Sequence, residues 1–185
     1  MIDIKLLEQL CLCRLFSLFK HNKVAEIICF NIIGTVFNLV NYKIANIPLI
    51  TRNTVAKSKL MVSAHMDEVG LMVTDITSDG YLKFDEVGGI DRRVLPGKRV
   101  CVGRNGLNGV IGVKPIHLTN GDEKTAVPKM NDMYIDIGAE SREDALKYVS
   151  YGDGINFEGD FKINGKTVVT KALDDRFGCY VLINL

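Results

Sequence analysis

Between residues 69 and 169 the chain consists largely of short apolar runs separated by turn residues, and this pattern restricts the fold more than any other feature. Such runs are typical of antiparallel strands joined by tight turns. One helix start interrupts them at Ser141, an N-cap residue followed by acidic residues, and we expect that helix to reach about Val149. We therefore predict a compact barrel-like module over residues 71–163. The predicted strands are Val69–Ile76, Tyr81–Val87, Arg99–Val102, Val110–Val113, Met133–Ile137, Phe157–Ile163 and Lys166–Val169.

Asn-Gly pairs mark two of the expected turns. The segment Gly103–Gly109 contains two such pairs, and Asn164-Gly165 separates the last two predicted strands. Asn-Gly favours the positive backbone torsions that tight hairpins require. We therefore predict a turn over residues 103–109 and a hairpin at Asn164-Gly165.

The residues on either side of this module follow different patterns. Apolar residues at helical spacing predict a helix over Met1–Cys13, and the run Lys59–Ala64 predicts a buried strand that ends at His65. The apolar segment Tyr180–Leu185 predicts the first turns of a further helix. We therefore expect an α/β domain in two pieces, residues 1–70 and 164–185, that the module of residues 71–163 interrupts.

His65 and Asp67 form the first candidate site. Open α/β folds place their sites at the carboxyl ends of strands, which is where this His-x-Asp sequence falls. Strand residues alternate, so both side chains face one side if the extended conformation continues. Neutral imidazole is a common zinc ligand, and a nearby carboxylate can fix its orientation. The pattern alone also fits a partly buried histidine that an acid holds for structural reasons.

Asp174 and Asp175 form the second candidate site. They follow Lys171 and precede Arg176 at a predicted junction between strand and helix, where a carboxylate can bind a metal ion. Adjacent acids at a helix start are more commonly caps. The pattern alone therefore leaves both interpretations open.

Taken together, these segments resemble a family of di-metal aminopeptidases that includes the tetrahedral, glutamyl and deblocking aminopeptidases and is also called cellulase M. The resemblance covers roughly residues 57–185. It rests on six segments in the family's order, which are Leu60–Val73, Val87–Ile90, Val94–Gly97, Gly109–His117, Tyr134–Gly138 and Lys171–Arg176.

The resemblance implies an α/β fold, in which an open-sheet metallopeptidase catalytic domain is interrupted by a small β-barrel-like inserted domain. By resemblance, His65 corresponds to a ligand of one metal ion and Asp174 to the carboxylate that bridges two. Asp67 corresponds to the catalytic acid that orients the metal-site histidine, and Asp175 is the less favoured bridge. The implied activity removes amino-terminal residues from peptide substrates with water that two divalent metal ions, zinc or cobalt, activate. The inserted module corresponds to the family's assembly domain, so a homo-oligomer is expected.

The chain departs from the family after Asp174. The family's Glu-Glu pair, which provides the general base and a ligand, lies beyond this point, as do a further acid and a final histidine. Only 11 residues follow Asp174, and none is glutamate or histidine. His21 lies in the unmatched region and His117 inside the inserted module, so neither completes the site. We therefore expect an incomplete catalytic domain and no meaningful peptidase activity from this chain alone.

Residues 12–54 also depart from the family. The family's Pro-Gly-x-Ser-Gly turn and its Asp-x-x-Gly-Asn element are missing, and the apolar residues follow neither the helical nor the strand period. Sequence divergence and a reading-frame slip that later reverts both explain this.

Charge, cysteine content and apolar segments exclude several classes of protein. A formal charge of +1 without a basic stripe predicts no nucleic-acid partner. Five scattered cysteines without CxxC pairs argue against a disulfide framework, and the acidic start argues against a signal peptide, so we expect a cytoplasmic protein. The apolar segment Ile27–Val40 is shorter than the roughly 20 residues that span a bilayer, so we predict no membrane partner.

Two other functions are compatible with parts of the sequence. One is a non-catalytic relative in which the inserted module drives assembly or interaction. The other, an endoglucanase, follows from the family's other name and is the least favoured. Asp67 and Glu68 would point to opposite faces of a strand, and the chain contains no tryptophan for stacking on sugars.

Overall fold

The computed structural model describes residues 3–12, 46–49, 62–114 and 126–184, and these form two compact units. Residues 69–158 belong to the first, the barrel unit, and the described parts of 1–68 and 159–185 belong to the second, the flanking unit. The boundaries expected from the sequence, after residues 70 and 163, lie slightly further along the chain. The three-part domain division itself stays a prediction.

The described elements are mostly short strands, with three short α-helices among them. In chain order they are α1 (Ile4–Leu12), β1 (Asn46–Leu49), β2 (Val62–His65), β3 (Gly70–Ile76), β4 (Leu82–Val87), β5 (Arg99–Val102), β6 (Leu107–Val113), β7 (Met133–Asp136), α2 (Arg142–Ala145), β8 (Gly154–Phe157), β9 (Lys162–Asn164), β10 (Thr167–Val169) and α3 (Leu173–Ile183), with 3-10 turns at Arg92–Val94 and Met130–Asp132.

The six strands of the barrel unit form one closed antiparallel sheet in the order β3-β4-β7-β6-β5-β8. The sheet closes because β3 pairs with β4 on one side and with the last strand, β8, on the other, where Leu71 lies opposite Ile155. A bulge between Val73 and Asp75 shifts the register of β3 against β4. The predicted barrel-like module is therefore confirmed, as is the mixed α/β composition of the chain.

Side-chain alternation along the strands fills the barrel. In β3, for example, Leu71 and Val73 are buried while Thr74 and Asp75 are exposed. The buried apolar side chains form one cluster, to which the segment that includes α2 adds Ala145 and Val149. The fully buried members are Leu71, Ile76, Leu82, Leu95, Met133, Ala145, Ile135 and Ile155.

The turn between β5 and β6 is shorter than predicted, so the expected turn over residues 103–109 is wrong in its second half. Gly103 and Gly106 have positive φ values of 65°, but β6 already begins at Leu107. Gly109 lies inside that strand, where a Cβ atom would come 2.8 Å from the Ile135 side chain. This glycine therefore permits close packing of neighbouring strands, and Asn-Gly is not a turn there.

The predicted helix at Ser141 exists but ends early. The Ser141 hydroxyl accepts a hydrogen bond from the Asp144 backbone N–H at 3.2 Å, which confirms the N-cap. Beyond Ala145, the N–H groups of Lys147 and Tyr148 donate to carbonyls three residues earlier. This tighter bonding is typical of a 3-10 end and explains why the α-helix does not reach Val149.

In the flanking unit, two helices pack around a small apolar cluster. It contains one face of α1, with Leu6, Leu7, Leu10 and Cys11, together with Met66, Cys179 and Tyr180. A carboxylate oxygen of Asp3 accepts the Leu6 N–H at 3.1 Å and so caps the start of α1. The described part of the predicted helix over Met1–Cys13 is therefore confirmed.

The flanking unit also contains two antiparallel two-stranded sheets, β1–β2 and β9–β10. The predicted hairpin at Asn164-Gly165 is confirmed, because Asn164 pairs with Thr167. The predicted burial of the strand before His65 is wrong, since Val62 and Ser63 are exposed. Among the described strands β2 pairs only with β1.

Several sequence-based predictions fall on residues outside the described ranges. These are most of the irregular stretch 12–54, the apolar segment Ile27–Val40, and both His21 and His117. Among the described helices, none is long and apolar enough to cross a membrane.

Candidate metal-binding site

The end of β2 and the start of α3 bring the two predicted site segments together. His65 is the last residue of β2, and Asp174 is the second residue of α3. The imidazole Nε2 of His65 lies 3.2 Å from Oδ1 of Asp174. The His65 side chain is 45% exposed and that of Asp174 is 96% exposed, so this pair is open to solvent and to small ions.

Asp67 contacts the other ring nitrogen. Its Oδ1 lies 3.2 Å from Nδ1 of His65, so the two side chains lie on one side of the chain, as expected for an extended continuation of β2. The angles at Nδ1 do not make a hydrogen bond, and the contact is therefore an electrostatic one. A carboxylate in this position favours the ring orientation that directs Nε2 toward Asp174.

Asp175 has a different structural role from Asp174. Its Oδ2 accepts a hydrogen bond from the His65 backbone N–H at 3.3 Å, and its Oδ1 accepts one from the Gly178 N–H at 3.0 Å. A Cβ atom on Gly178 would overlap this carboxylate. Asp175 therefore connects the end of β2 to the first turn of α3, while Asp174 is 96% exposed and its Oδ1 shares a hydrogen bond with His65 Nε2.

The backbone before α3 is unusual. Ala172 adopts the left-handed conformation, with φ 54° and ψ 26°, and the peptide bond between Asp174 and Asp175 is cis. A left-handed non-glycine residue costs roughly 1–2 kcal/mol. Strained residues of this kind cluster at functional sites, and Ala172 precedes Asp174 by two residues.

A buried ion pair lies beside the site. The Lys171 ammonium is 2.8 Å from Oε1 of Glu68, and the two side chains are only 14% and 7% exposed. Glu68 lies three residues after His65, and Lys171 lies three residues before Asp174. The pair therefore links the two segments that hold the candidate ligands.

Cys179 lies directly behind His65. Its thiol donates to the His65 carbonyl oxygen at 3.3 Å, and the residue is 3% exposed. Burial, with a smaller contribution from the nearby Asp175 carboxylate, raises the pKa of this thiol to about 11. The thiol stays protonated near neutral pH, so Cys179 is a packing residue and does not act as a nucleophile.

The His65–Asp174 pair fits part of a metal-binding site. Ligand atoms about 2.0–2.1 Å from a tetrahedral zinc ion lie about 3.3 Å from each other, close to the observed 3.2 Å between Nε2 and Oδ1. No group of three or more histidine, cysteine, aspartate or glutamate side chains is arranged to hold a metal ion within residues 3–12, 46–49, 62–114 and 126–184. The described residues thus offer two ligands, fewer than the four of a closed zinc site.

Comparison with known proteins identifies the family. The model of the M42 glutamyl aminopeptidase family matches residues 46–185. The chain belongs to this family. The match begins at residue 46, so it includes the last part of the stretch that looked irregular in the sequence, and M42 membership confirms the resemblance to the glutamyl aminopeptidases.

Three similar proteins illustrate this M42 relationship. A protein of Acetivibrio thermocellus, provisionally named an aminopeptidase, is 47% identical over 125 residues, which are 68% of this chain and 36% of that protein. A Thermotoga maritima structure described as an endoglucanase is 40% identical with a TM-score of 0.79, over 96% of this chain and 52% of that one. The TET1 peptidase of Pyrococcus horikoshii, which can assemble into a tetrahedron or a large octahedral shell, is 37% identical with a TM-score of 0.79, over 98% and 54%.

This chain therefore spans only about a third to a half of the length of these M42 relatives. The family model that matches is that of the M42 glutamyl aminopeptidases, a family that depends on metal ions.

Sequence reasoning placed three residues near this site, and the structure brings all three together: His65, Asp67 and Asp174. It did not identify the bonds of Asp175 or the pairing of Lys171 with Glu68. The sequence offered one signal for this pair, because Glu68 lies three residues after His65 and Lys171 lies three residues before Asp174. That the two side chains contact each other across 103 residues is visible only in the folded structure.

Proposed function

We propose that this chain provides part of the active centre of a metal-dependent aminopeptidase, in which His65 binds one divalent metal ion and Asp174 bridges two. The observation that carries this proposal is the 3.2 Å approach of His65 Nε2 to the exposed Asp174 carboxylate. Two such ions, zinc or cobalt, would polarise the scissile carbonyl and lower the pKa of a bound water. Membership of the M42 family supports the reaction class, which is release of amino-terminal residues from peptides.

The chain's own residues prepare the ligands for this role. Asp67 holds the imidazole from its Nδ1 side, so that the Nε2 lone pair remains directed at the ion. Asp175 holds the backbone of His65 through an N–H group and contributes no free oxygen to the ion. Asp174 is the better candidate for the bridge because its side chain is 96% exposed, whereas both carboxylate oxygens of Asp175 accept backbone hydrogen bonds.

A general base is missing from this arrangement within the described residues. The glutamate nearest in sequence to His65 is Glu68, whose carboxylate is mostly buried and pairs with Lys171, so it is poorly placed to accept a proton from water. We therefore expect the 185-residue chain to bind a metal ion weakly and to hydrolyse peptides at no meaningful rate. Aminoacyl p-nitroanilides with different amino-terminal residues are suitable substrates for measuring that rate.

Metal titration tests the proposal. Cobalt binding, followed by its visible absorption and by calorimetry, is expected to be lost in His65→Ala and in Asp174→Asn. Asp79→Asn, which removes an exposed carboxylate from a turn of the barrel unit, is the matched control and should bind as the unaltered chain does. Cobalt binding that survives both site substitutions would refute the proposal.

The endoglucanase description of the Thermotoga protein does not extend well to this site. A glycosidase needs two carboxyl groups facing each other across a cleft. Asp67 contacts His65 and Glu68 contacts Lys171, so neither is available for such a pair. The geometry supports a peptidase over a glycosidase.

We also propose that the barrel unit supports assembly of identical chains. Its surface exposes three large apolar side chains within six residues, Leu146, Tyr148 and Tyr151, and exposed aromatic residues of this kind are enriched at protein interfaces. Analytical ultracentrifugation should show a homo-oligomer that the double variant Tyr148→Ser/Tyr151→Ser weakens. An oligomer of unchanged stability in that variant would argue against this surface. If the chain assembles but never binds metal, the non-catalytic interaction function replaces the aminopeptidase.

A further inference from the structure

Glu68 and Lys171 form an ion pair that the proposed chemistry does not use. Most ion pairs of the described residues lie at the surface. In the flanking unit, for example, Lys162 and Asp160 pair at 3.0 Å with side chains 65% and 60% exposed. The Lys171–Glu68 pair, at 14% and 7% exposure, is far more buried than this one. Burying two charges costs far more than an exposed pair, so a buried pair of this kind suggests a role in specifying structure.

The surroundings of Lys171 restrict it along its whole length. Its amine contacts the Glu68 carboxylate at 2.8 Å. Its stem passes over Gly159, where a Cβ atom would come 3.0 Å from Lys171 Cγ and 3.1 Å from its Cδ. Because the stem and the charge are both fixed, Lys171 also fixes the backbone that leads to Ala172 and Asp174.

Glu68 lies as close in sequence to His65 as Lys171 does to Asp174. It follows Met66, a 2% exposed member of the apolar cluster, and lies three residues beyond His65. A displacement of Glu68 therefore moves the chain that carries His65 and Asp67. The ion pair thus connects the two ligand-bearing segments at a point where neither ligand is itself involved.

We propose that Glu68 and Lys171 are a positioning pair that sets the separation of His65 Nε2 from Asp174 Oδ1, and thereby the affinity of this site for a divalent metal ion. This inference rests on the proposed function, because it assigns the two side chains a role only if His65 and Asp174 bind metal. Metal–ligand distances tolerate errors of only about 0.2 Å, so a small shift of either segment weakens binding. Neither Glu68 nor Lys171 touches the ion.

The double variant Glu68→Gln/Lys171→Met tests this role. It removes both charges of this pair together and nearly preserves side-chain volume, so the chain is expected to fold. The dissociation constant for Co²⁺ should rise about 10-fold or more, the size of effect seen when groups that orient metal ligands are removed. The cobalt absorption spectrum should change as well, which a purely structural role would not cause at temperatures where circular dichroism shows a folded chain.

Two companion variants complete the experiment. Lys162→Met makes the same lysine substitution at an exposed pair of the same unit and should bind Co²⁺ like the unaltered chain. Lys171→Arg keeps the positive charge but changes its length and shape. It should fold with ordinary stability and bind Co²⁺ with an affinity between those of the unaltered chain and the double variant. If the double variant does not fold, Lys171→Arg decides the matter, and unaltered cobalt affinity in it overturns the inference.

The outcomes separate this inference from the proposed function. If His65→Ala abolishes cobalt binding while the folded double variant binds normally, the positioning role is wrong and the metal site stands. If His65→Ala and Asp174→Asn leave binding unchanged, both proposals are refuted. Loss of affinity in the double variant together with normal binding by Lys162→Met supports the positioning pair.

Discussion

The barrel unit and the flanking unit are stabilised in different ways. Each of the six strands of the barrel has two neighbours, so the closed sheet has no open edge and encloses one apolar cluster. In the flanking unit, each described strand has one neighbour, and separate segments are connected by charged side chains such as Lys171 and Asp175. The barrel therefore depends on backbone pairing and apolar packing, while the candidate site depends on a few polar contacts between distant parts of the chain.

A core substitution in the barrel is expected to have the largest effect. Leu71→Ala removes a fully buried side chain from β3 and should lower the free energy of unfolding by about 2–5 kcal/mol. Urea denaturation measures this change. Val110→Ala, at a strand position that is 46% exposed, is the control and should cost far less. Equal losses in the two variants would mean that the barrel interior is not the source of its stability.

Gly178→Ala tests the polar contacts of the flanking unit. Alanine favours a helix, but its Cβ would overlap the Asp175 carboxylate and displace it from the His65 N–H. We expect a net destabilisation of about 1–3 kcal/mol and faster hydrogen exchange at His65. Gly89→Ala in the barrel unit, where an added Cβ would meet nothing within 4 Å, should be nearly neutral. A stabilised Gly178→Ala variant would show that Asp175 is not held as described.

Cysteine labelling compares the two units directly, because both contain buried thiols. Cys101 lies in the barrel, while Cys11 and Cys179 lie in the flanking unit. In a background of Cys13→Ser and Cys29→Ser at pH 8, Cys179 is almost fully protonated, because its pKa is about 11, and it reacts only when the unit opens. At low urea, Cys11 and Cys179 should be labelled about 10-fold faster than Cys101. Identical rates would indicate that the two units open together.

Ala172→Gly is expected to have the smallest effect, and it should increase stability. Among the described residues, Ala172 is the only non-glycine residue with a positive φ. Glycine adopts this conformation without the Cβ penalty but loses more entropy on folding, so the net gain should be about 0.5–1 kcal/mol in thermal unfolding. Ala139→Gly in the barrel unit, where φ is not positive, should instead lose stability. A loss at both positions would contradict the strain assigned to Ala172.

Local patterns predicted much of the barrel. The strand Arg99–Val102 and the Ser141 cap were correct because turn residues and caps act through neighbouring atoms. The glycine at 109 was assigned to a turn because its real partner, Ile135, is 26 residues away and invisible to any local pattern.

The sequence indicated which residues form the candidate site but not which contacts join them. The local patterns around His65, Asp67 and Asp174 left a structural role open, and the resemblance to the aminopeptidase family indicated their metal-site roles. Which of the two adjacent aspartates remains open could not be predicted, since that depends on the backbone conformation near Ala172 and on the hydrogen bond of Asp175 to His65. That hydrogen bond joins segments separated by 110 residues.

The closure of the barrel between its first and last strands has an evolutionary consequence. Because Leu71 of β3 lies opposite Ile155 of β8, the chain enters and leaves this unit through adjacent strands, which are roughly 5 Å apart. A domain that is interrupted by such a unit needs only a small gap between its own two chain ends. Modules of quite different size could therefore have been exchanged at this position during descent, with little change to the chemistry on either side.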